Sequence, residues 1–184
     1  MILVEELWQK AIEFHGHECP GLAIGFKAAL AARKYLECNQ SGDEEIVCIS
    51  ENDACGIDGI QVVLSCTMGK GNLLLRMTGK SVYHFFNREN GKSIRIYVKS
   101  KPFDMDREGY KKYLLESEFE DIFEITDTKL RLPEKARIFK SLKCEVCGEF
   151  APEQYIRIQD SKKVCLDCFS KYERFYEEGK ETSN

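Results

Sequence analysis

Long apolar runs, prolines and an excess of charge of one sign are all scarce in this chain. Its 184 residues include four prolines and one tryptophan, and 43% are hydrophobic and 32% charged, as in ordinary globular proteins. No stretch of 18 apolar residues is present, so we expect no membrane span. The first residues lack a basic segment followed by an apolar run, so we expect no secretory signal and a reducing, cytoplasmic location.

Positive charge is also in short supply. The formal net charge is −4, and residues 140–184 contain eight Lys and Arg against nine Asp and Glu, close to −1. A surface that contacts nucleic-acid phosphates carries an excess of Lys and Arg. The charge balance therefore disfavours nucleic acid as a partner.

Cysteine, by contrast, is abundant, and four of the nine cysteines lie in two C-x2-C pairs. The pairs are Cys144/Cys147 and Cys165/Cys168, with 17 residues between Cys147 and Cys165. Four thiolates at this spacing can close tetrahedrally on one Zn²⁺. In a reducing compartment such a pattern indicates a metal site and not a disulfide framework. We therefore predict a structural zinc site.

The zinc region is predicted to be a small treble-clef domain. A knuckle, a hairpin near 154–164 and a helix from about 166 to 178 would complete it. Phe169, Tyr172 and Tyr176 recur at helical spacing and are expected to form the buried stripe of that helix.

The rest of the chain predicts an α+β core in which helices pack on a mainly antiparallel sheet. We place this core at 1–131, a linker at 132–139 and the treble-clef zinc finger at 140–184. Apolar periodicity and turn residues divide the core into elements. Helices are predicted at 3–14, 20–36, 57–65 and 106–118, and strands at 44–51, 72–77, 80–87, 93–99 and 122–126.

Two of the three histidines lie in the motif His15-Gly16-His17-Glu18-Cys19. If this segment is extended, His15, His17 and Cys19 alternate onto one face. Two imidazoles and a thiol suit Zn, Fe, Ni or Cu. Cys19 also occupies the predicted N-cap of the second helix, where the helix dipole favours a thiolate. The alternative is that the histidines cap a loop and Cys19 fills a buried space.

Cys55, which precedes the predicted third helix, is a second candidate for a thiolate of low pKa. Asp53 and Asp58 flank it as candidate ligands or acid/base partners. The alternative is an ordinary strand-to-helix turn with capping aspartates. Cys66 ends the same helix, and Lys70 beyond it is either a solvated lysine in a flexible turn or a contact for an anionic ligand.

Three further residues are interpreted as structural. Cys48 lies in an apolar strand and is expected to fill the core, and Cys38 ends a helix without a visible partner. His84, between Tyr83 and Phe85 in a predicted strand, is expected to be packed or paired and not a ligand.

Three motifs resemble those of the FmdE family, the family of the formylmethanofuran dehydrogenase component of that name. They are His-Gly-His-x-Cys-Pro-Gly at 15–21, Asp-x-Cys-Gly-x-Asp at 53–58 and Cys-Thr-x-Gly-Lys-Gly-Asn at 66–72. The resemblance covers roughly residues 1–130, and the four-cysteine tail is similar to the treble-clef finger that some members carry. It implies an α+β core, a homodimer and a metal-binding cleft built from the His and Cys motifs.

The resemblance also implies a site and a role. The residues carried over to the cleft are His15, His17, Cys19, Cys55 and Cys66. His17 and Cys55 would be the firmest ligands of a second transition metal, whose identity the sequence does not give. The predicted function is that of a catalytic or accessory metalloprotein of one-carbon or molybdenum/tungsten enzyme metabolism, with subunits of such enzymes as possible partners.

Two other functional classes compete with this hypothesis. One is a regulator or adaptor whose zinc finger binds protein or nucleic acid. The other is a redox sensor in which Cys19, Cys55 and Cys66 pair as thiols.

Overall fold

The structure is a computed structural model that describes residues 3–102, 104–172 and 174. The chain divides into two compact units, Met1–Ala136 and Arg137–Asn184.

The boundary between the units falls within the segment assigned to a linker, 132–139. The first unit continues past residue 131 because the carboxylate of Glu44 accepts a hydrogen bond from the backbone N–H of Ala136. Arg88 lies 3.7 Å from the same carboxylate. The last residues of the first unit are therefore tied to its sheet.

The first unit contains five helices and five strands among its described residues. They are α1 (Val4–His15), α2 (Pro20–Tyr35), β1 (Ile46–Ser50), α3 (Gly56–Leu64), β2 (Leu73–Leu75), β3 (Val82–Asn87), β4 (Ser93–Val98), α4 (Arg107–Glu116), α5 (Phe119–Ile122) and β5 (Phe123–Thr126). The sheet order is β2-β1-β3-β4-β5. β1 and β2 are parallel, and the other neighbouring pairs are antiparallel. The predicted α+β class is confirmed.

Membrane insertion finds no support among these helices. None of those in the described part of the chain combines the length and the apolar character that a membrane span requires.

The sheet buries apolar residues on both faces. Phe26 of α2 and Phe85 of β3 belong to the main core between helices and sheet. Val47 and Phe86 form a smaller cluster, against which Leu130 packs. The segment after β5 thus contributes to the cover of a second apolar cluster.

Helices α2 and α3 approach each other closely because glycines face each other between them. A Cβ added at Gly25 would lie 1.7 Å from the backbone oxygen of Gly56, and one added at Gly59 would meet the backbone of α2 at 2.5 Å. No side chain fits there. This contact brings the start of α2, with Cys19, beside the start of α3, with Cys55.

The second unit consists of two hairpins and a short turn. Its elements are β6 (Ser141–Lys143), β7 (Phe150–Pro152), a 3₁₀ turn (Glu153–Tyr155), β8 (Ile156–Gln159) and β9 (Lys162–Cys165). β6 pairs with β7 and β8 with β9, both antiparallel. The hairpin predicted near 154–164 is present as β8 and β9.

The helix predicted from residue 166 is wrong for the part of it that the structure describes. Residues 166–168 form a turn and 169–172 have no regular structure. The N–H of Cys168 bonds to the carbonyl of Cys165, so the second knuckle occupies the place of a first helical turn. Tyr172 is 85% exposed and not buried. Tyr176 lies outside the described residues.

Candidate metal centres

The four cysteines of the second unit converge on one point. Their sulfur atoms all lie within 4.8 Å of one another, and Cys147 Sγ is 3.9 Å from Cys165 Sγ. Two Zn–S bonds of about 2.3 Å at a tetrahedral angle separate their sulfurs by about 3.8 Å. The four thiols, Cys144, Cys147, Cys165 and Cys168, therefore fit one tetrahedral Zn²⁺.

Backbone N–H groups and neighbouring thiols set the charge state of this cluster. Hydrogen bonds from the backbone of Cys165 and Cys147 lower the pKa of Cys144 to about 6, and the Cys165 N–H lies 3.3 Å from Cys144 Sγ. The hydrogen bond with Cys165 raises the pKa of Cys168 to about 12. Four thiolates this close repel one another, and a divalent cation neutralises that repulsion.

A second group of ligand atoms lies in the first unit, at the end of α1. His15 Nε2 is 3.7 Å from Cys19 Sγ, and the ligand atoms of His15, His17 and Cys19 lie within 4.8 Å of one another. One nitrogen and one sulfur on a tetrahedral zinc ion are separated by about 3.6 Å. The predicted convergence of these three residues is present.

The route by which the three residues converge differs from the expected extended segment. His15 is the last residue of α1, and Gly16 follows with φ 89° as the left-handed C-cap. This conformation, which glycine adopts without strain, turns the chain so that His17 stacks 4.5 Å from His15, centroid to centroid. A helix end and a glycine turn thus replace strand alternation.

Asp58 orients His15 without being one of the three grouped ligands. Its Oδ2 lies 2.6 Å from Nδ1 of His15, and Gln61 Nε2 donates to its Oδ1 at 3.2 Å. With Nδ1–H donated to the carboxylate, Nε2 is left with its lone pair toward Cys19. Metal-binding histidines commonly show this carboxylate contact.

Cys19 lies at the N-cap of α2, as predicted. Its Sγ accepts a hydrogen bond from the backbone N–H of Leu22 at 3.3 Å, and Pro20 occupies the first helical turn. Cys19 is 3% exposed. The sulfur is therefore held at a helix N-terminus and shielded from solvent.

Cys55 lies beside Cys19 but outside the group of three. A Cβ added at Gly21 would be 3.6 Å from Cys55 Sγ and 3.8 Å from Cys19 Sγ. Burial, followed by the neighbouring Cys19, raises the pKa of Cys55. The expectation of a low pKa for Cys55 is therefore wrong, and the geometry does not make it a co-ligand of the two histidines.

Cys66 is not brought to this cluster. It is fully buried, its Sγ donates to the carbonyl of Ile46 at 3.5 Å, and burial raises its pKa to about 12. Lys70 is not a solvated lysine, since its Nζ donates to the carbonyl of Ser41 at 2.9 Å. Asp53 is exposed and belongs to neither group of ligand atoms.

Cys48 and His84 occupy the structural positions predicted for them. Cys48 is fully buried in β1. His84 Nε2 lies 3.0 Å from Glu51 and its Nδ1 lies 2.6 Å from Thr128 Oγ1. Burial lowers the pKa of His84, against the opposing effect of Glu51.

Two residues that surround the cluster could not be identified from sequence patterns. Lys111 of α4 donates to Glu18 at 2.5 Å, which ties the loop between His17 and Cys19 to that helix. Tyr83 is buried, and its hydroxyl lies where a Cβ on Gly56 would be. Neither residue belongs to a local motif, so only the tertiary structure reveals them.

The fold and the two clusters define a class: an α+β domain with a His/Cys group, followed by a four-cysteine zinc finger. The family model described as "FmdE, Molybdenum formylmethanofuran dehydrogenase operon" matches residues 14–137. The chain belongs to the FmdE family. A second model, the prokaryotic dksA/traR C4-type zinc finger, matches residues 137–174.

Two individual proteins illustrate the relationship. The chain is 29% identical over 198 aligned positions to a protein of Archaeoglobus fulgidus named "Probable S-adenosyl-L-methionine-binding protein"; the match covers 89% of this chain and about half, 52%, of that protein. It also resembles the crystal structure of a tungsten formylmethanofuran dehydrogenase FmdE-like protein from Syntrophus aciditrophicus. That likeness has a TM-score of 0.61 and 26% identity, and covers 90% of this chain and 91% of the other.

Proposed function

We propose that this protein is a metalloprotein whose core binds a transition metal through His15, His17 and Cys19, while the second unit holds a structural zinc ion. The observation that carries the proposal is the convergence of these three ligand atoms within 4.8 Å. The contact of 2.6 Å between His15 and Asp58 adds to it, because it fixes the histidine in the orientation that ligation requires.

Three protein ligands suit a functional site better than a purely structural one. Structural zinc sites use four protein ligands, whereas catalytic sites keep a position open for water or substrate. A metal bound here would supply Lewis-acid chemistry at that open position. Cys55, exposed and next to Cys19, would then border the position without occupying it.

The metabolic role that we propose is in one-carbon or molybdenum/tungsten enzyme metabolism, as a catalytic or an accessory protein. Two similarities support it: the matching family refers to a molybdenum formylmethanofuran dehydrogenase operon, and the Syntrophus aciditrophicus protein is named for a tungsten formylmethanofuran dehydrogenase. We further propose a cytoplasmic location and subunits of such enzymes as partners. Both follow the family resemblance.

A homodimer is part of the same proposal. The edge strand β2 carries Leu74 and Leu75, 36% and 39% exposed, and Met77 beyond it is 57% exposed. An exposed apolar edge strand is a surface that proteins commonly cover. Light scattering should give twice the mass of one chain, and Leu74→Lys should shift it toward that of the monomer; a monomeric wild-type protein would exclude the dimer.

Metal content of the full-length chain tests the central proposal. Anaerobically purified wild-type protein should contain two metal ions per chain, and a Cys165→Ser/Cys168→Ser variant should lose only the zinc of the second unit. A His15→Ala/His17→Ala variant should lose only the core metal. Cys38→Ser, at a half-buried thiol outside both groups, is the matched control. A single metal ion per wild-type chain that survives the double histidine replacement would refute the core site.

An adaptor role for the second unit is the second candidate. Its apolar side chains include Val146, Phe150 and Ile158, which are 61%, 70% and 67% exposed. Such side chains suit a protein partner, whereas the near-neutral charge disfavours phosphate contacts. Binding of the full-length protein to a generic DNA duplex at low salt should be negligible, and measurable binding would favour the nucleic-acid form of this role.

A further inference from the structure

Cys19 and Cys55 are neighbouring thiols at the starts of two helices. Cys19 is the N-cap of α2, and Cys55 immediately precedes α3. Both sulfurs lie within 4 Å of one point, the place that a Cβ on Gly21 would occupy, at 3.8 Å and 3.6 Å respectively. The same point is 3.0 Å from the Cβ of Cys55. Only a residue without a side chain leaves room for both.

The rigid contact between the helices keeps this pair together. The backbones of α2 and α3 meet where Gly25 faces Gly56, so the two helix starts cannot drift apart without breaking that packing. Rotations of the two cysteine side chains, without movement of the helices, are then sufficient to bring the sulfurs into bonding distance.

The two thiols differ in their access to solvent. Cys55 is exposed, and Cys19 is buried beneath it. A dissolved oxidant therefore meets Cys55 first and finds Cys19 in the position of a resolving thiol. An exposed cysteine next to a resolving cysteine is the arrangement found in reversible redox sites.

We propose that Cys19 and Cys55 form a reversible disulfide that releases the core metal, so that the metal site is active only while this pair is reduced. The proposal rests on the core metal site of the proposed function, because the disulfide removes one of its three ligands.

Hydrogen peroxide is the oxidant class that the proposal requires. The sulfur of Cys55 attacks one peroxide oxygen; an S–O bond forms, the O–O bond breaks, and the leaving hydroxide takes the thiol proton to become water. The sulfur of Cys19 then attacks that of Cys55; an S–S bond forms, the S–O bond breaks, and the second hydroxide leaves as water with the proton of Cys19. Two thiols and one peroxide give one disulfide and two waters, a two-electron oxidation.

Loss of the metal follows from the chemistry of the ligand. Only a free thiolate ligates a transition metal well, and a disulfide sulfur of Cys19 is no longer one. His15 and His17 alone remain. Bound metal, in turn, occupies the Cys19 sulfur and should protect the pair from oxidation.

The first unit provides an internal control in Cys48 and Cys66. The charge of Cys66 acts on the pKa of Cys48, so these two thiols are also neighbours, but both are fully buried. The structure therefore predicts selectivity: the pair of Cys19 and Cys55 is oxidised while the pair of Cys48 and Cys66 is not.

The test uses the full-length chain, treated with a chelator until one zinc ion per chain remains. The protein is exposed to a small excess of hydrogen peroxide, its free thiols are alkylated, and the peptides are mapped by mass spectrometry. Co²⁺ binding to the core is then measured for reduced, oxidised and re-reduced protein. We expect a peptide linking Cys19 to Cys55, Co²⁺ affinity at least about tenfold weaker after oxidation, and full recovery with dithiothreitol.

The other outcomes separate this inference from the proposed function. If reduced protein binds Co²⁺ in the core but no link between Cys19 and Cys55 forms, the inference is overturned and the metal site stands. If the link forms but Co²⁺ binds equally well before and after oxidation, the inference is also overturned. If reduced protein binds no Co²⁺ in the core, the proposed function fails, and the inference with it.

A Cys55→Ser variant supplies an independent readout. Because Cys55 lies outside the group of three ligand atoms, the reduced variant should bind Co²⁺ as the wild type does. Its binding should resist peroxide, since the buried Cys19 has lost its partner. Loss of Co²⁺ binding in this variant at the wild-type peroxide dose would contradict the switch.

Discussion

The two cysteine-containing clusters of this chain are built on opposite plans. In the second unit each pair of ligands lies within four residues of sequence, and the turn that joins them, such as the one from Cys144 to Gly148, is closed by a backbone hydrogen bond of 3.0 Å. In the first unit His15 ends one helix, Cys19 begins the next, and Asp58 belongs to a third. The first plan depends on local chain geometry and the second on helix packing.

This difference teaches what holds each site together. A site made of local knuckles has little fold without its metal, because metal binding supplies the free energy of folding. A site assembled by packed helices exists before the metal arrives, because the core positions its ligands. The finger should therefore be sensitive to loss of metal, and the core site should be sensitive to changes in packing far from its ligands.

The largest effect is expected from replacement of two finger ligands. Cys144→Ser/Cys147→Ser should remove the zinc ion and unfold the described part of the second unit, since structural zinc contributes about 10 kcal/mol or more to such folds. Loss of one zinc ion per chain and rapid proteolysis beyond residue 137 would report it. The core, followed by the fluorescence of Trp8 against Phe26, should unfold as in the wild type.

The same variant can break the comparison. If the finger variant keeps the protease resistance of its hairpins without zinc, β6 to β9 are stabilised by their own packing, and the finger is not a metal-dependent fold. Cys38→Ser is the matched control, because it removes a thiol from neither ligand group.

The local plan also explains why the finger site was predictable. A C-x2-C spacing is itself the geometric requirement of a knuckle, so the four ligands follow from the sequence. The helix predicted at 166–178 followed from aromatic spacing alone. Phe169 and Tyr172 satisfy that periodicity, but the knuckle at Cys165 and Cys168 takes precedence over it in residues 166–172.

The next largest effect is expected from Gly25→Ala in the first unit. Its Cβ would lie 1.7 Å from the backbone oxygen of Gly56, so α2 and α3 must separate, at a cost of about 3 kcal/mol. Denaturant unfolding followed by Trp8 fluorescence should show this loss, and core Co²⁺ affinity should fall although no ligand has changed. Finger zinc should be retained.

Gly69→Ala is the matched control for this packing variant. A Cβ there would meet nothing within 4 Å, so stability and Co²⁺ binding should remain unchanged. If Gly25→Ala binds Co²⁺ with wild-type affinity, the core site does not depend on the contact between α2 and α3, and the comparison fails on that side.

The core site was predictable only in part, and the reason is again its plan. His15, His17 and Cys19 lie within five residues, so their proximity could be inferred even though the extended conformation assumed for them was wrong. The contact of Asp58 with His15 spans 43 residues, and no local pattern distinguishes an orienting carboxylate from a ligand. Cys66 was placed in the site by motif resemblance, but burial next to Ile46 removes it.

A smaller effect is expected when only the orientation of His15 is disturbed. Asp58→Asn keeps the size of the side chain but removes the charge that faces Nδ1 of His15 at 2.6 Å. Loss of such a carboxylate typically weakens metal binding by about 10- to 100-fold. Competition titration with Co²⁺ should show this decrease while the unfolding midpoint of the metal-free protein stays the same.

Asp53→Asn is the control for charge alone, because Asp53 is exposed and outside both ligand groups. If the variants at 58 and 53 bind Co²⁺ equally well, Asp58 does not orient a ligand. The core site would then be as self-contained as the finger.

The smallest effect is expected at Glu51, a buried carboxylate that supports the first unit away from the ligands. Burial acts to raise its pKa, but the hydrogen bonds from Thr78 and His84, with the charge of Arg76, outweigh it and lower the pKa to about 2. Because the folded pKa is below the ordinary value of 4.5, ionised Glu51 stabilises the fold fully above about pH 4.5. That contribution is lost as the pH falls from there toward 2.

Glu51→Gln should therefore change the pH dependence of core stability more than its form. Unfolding followed by Trp8 fluorescence at pH 6, 4 and 3 should show wild type and variant furthest apart at pH 6 and converging at pH 3. Glu45, whose pKa its hydrogen bonds with Asp43 and Ser41 also lower to about 2, contributes the same slope to both proteins and cancels in the difference. A constant gap at all three pH values would mean that Glu51 stabilises the core through its shape and not its charge. The acid sensitivity of the chain would then have to arise elsewhere, with protonation of the finger thiolates and release of zinc as the remaining source to measure.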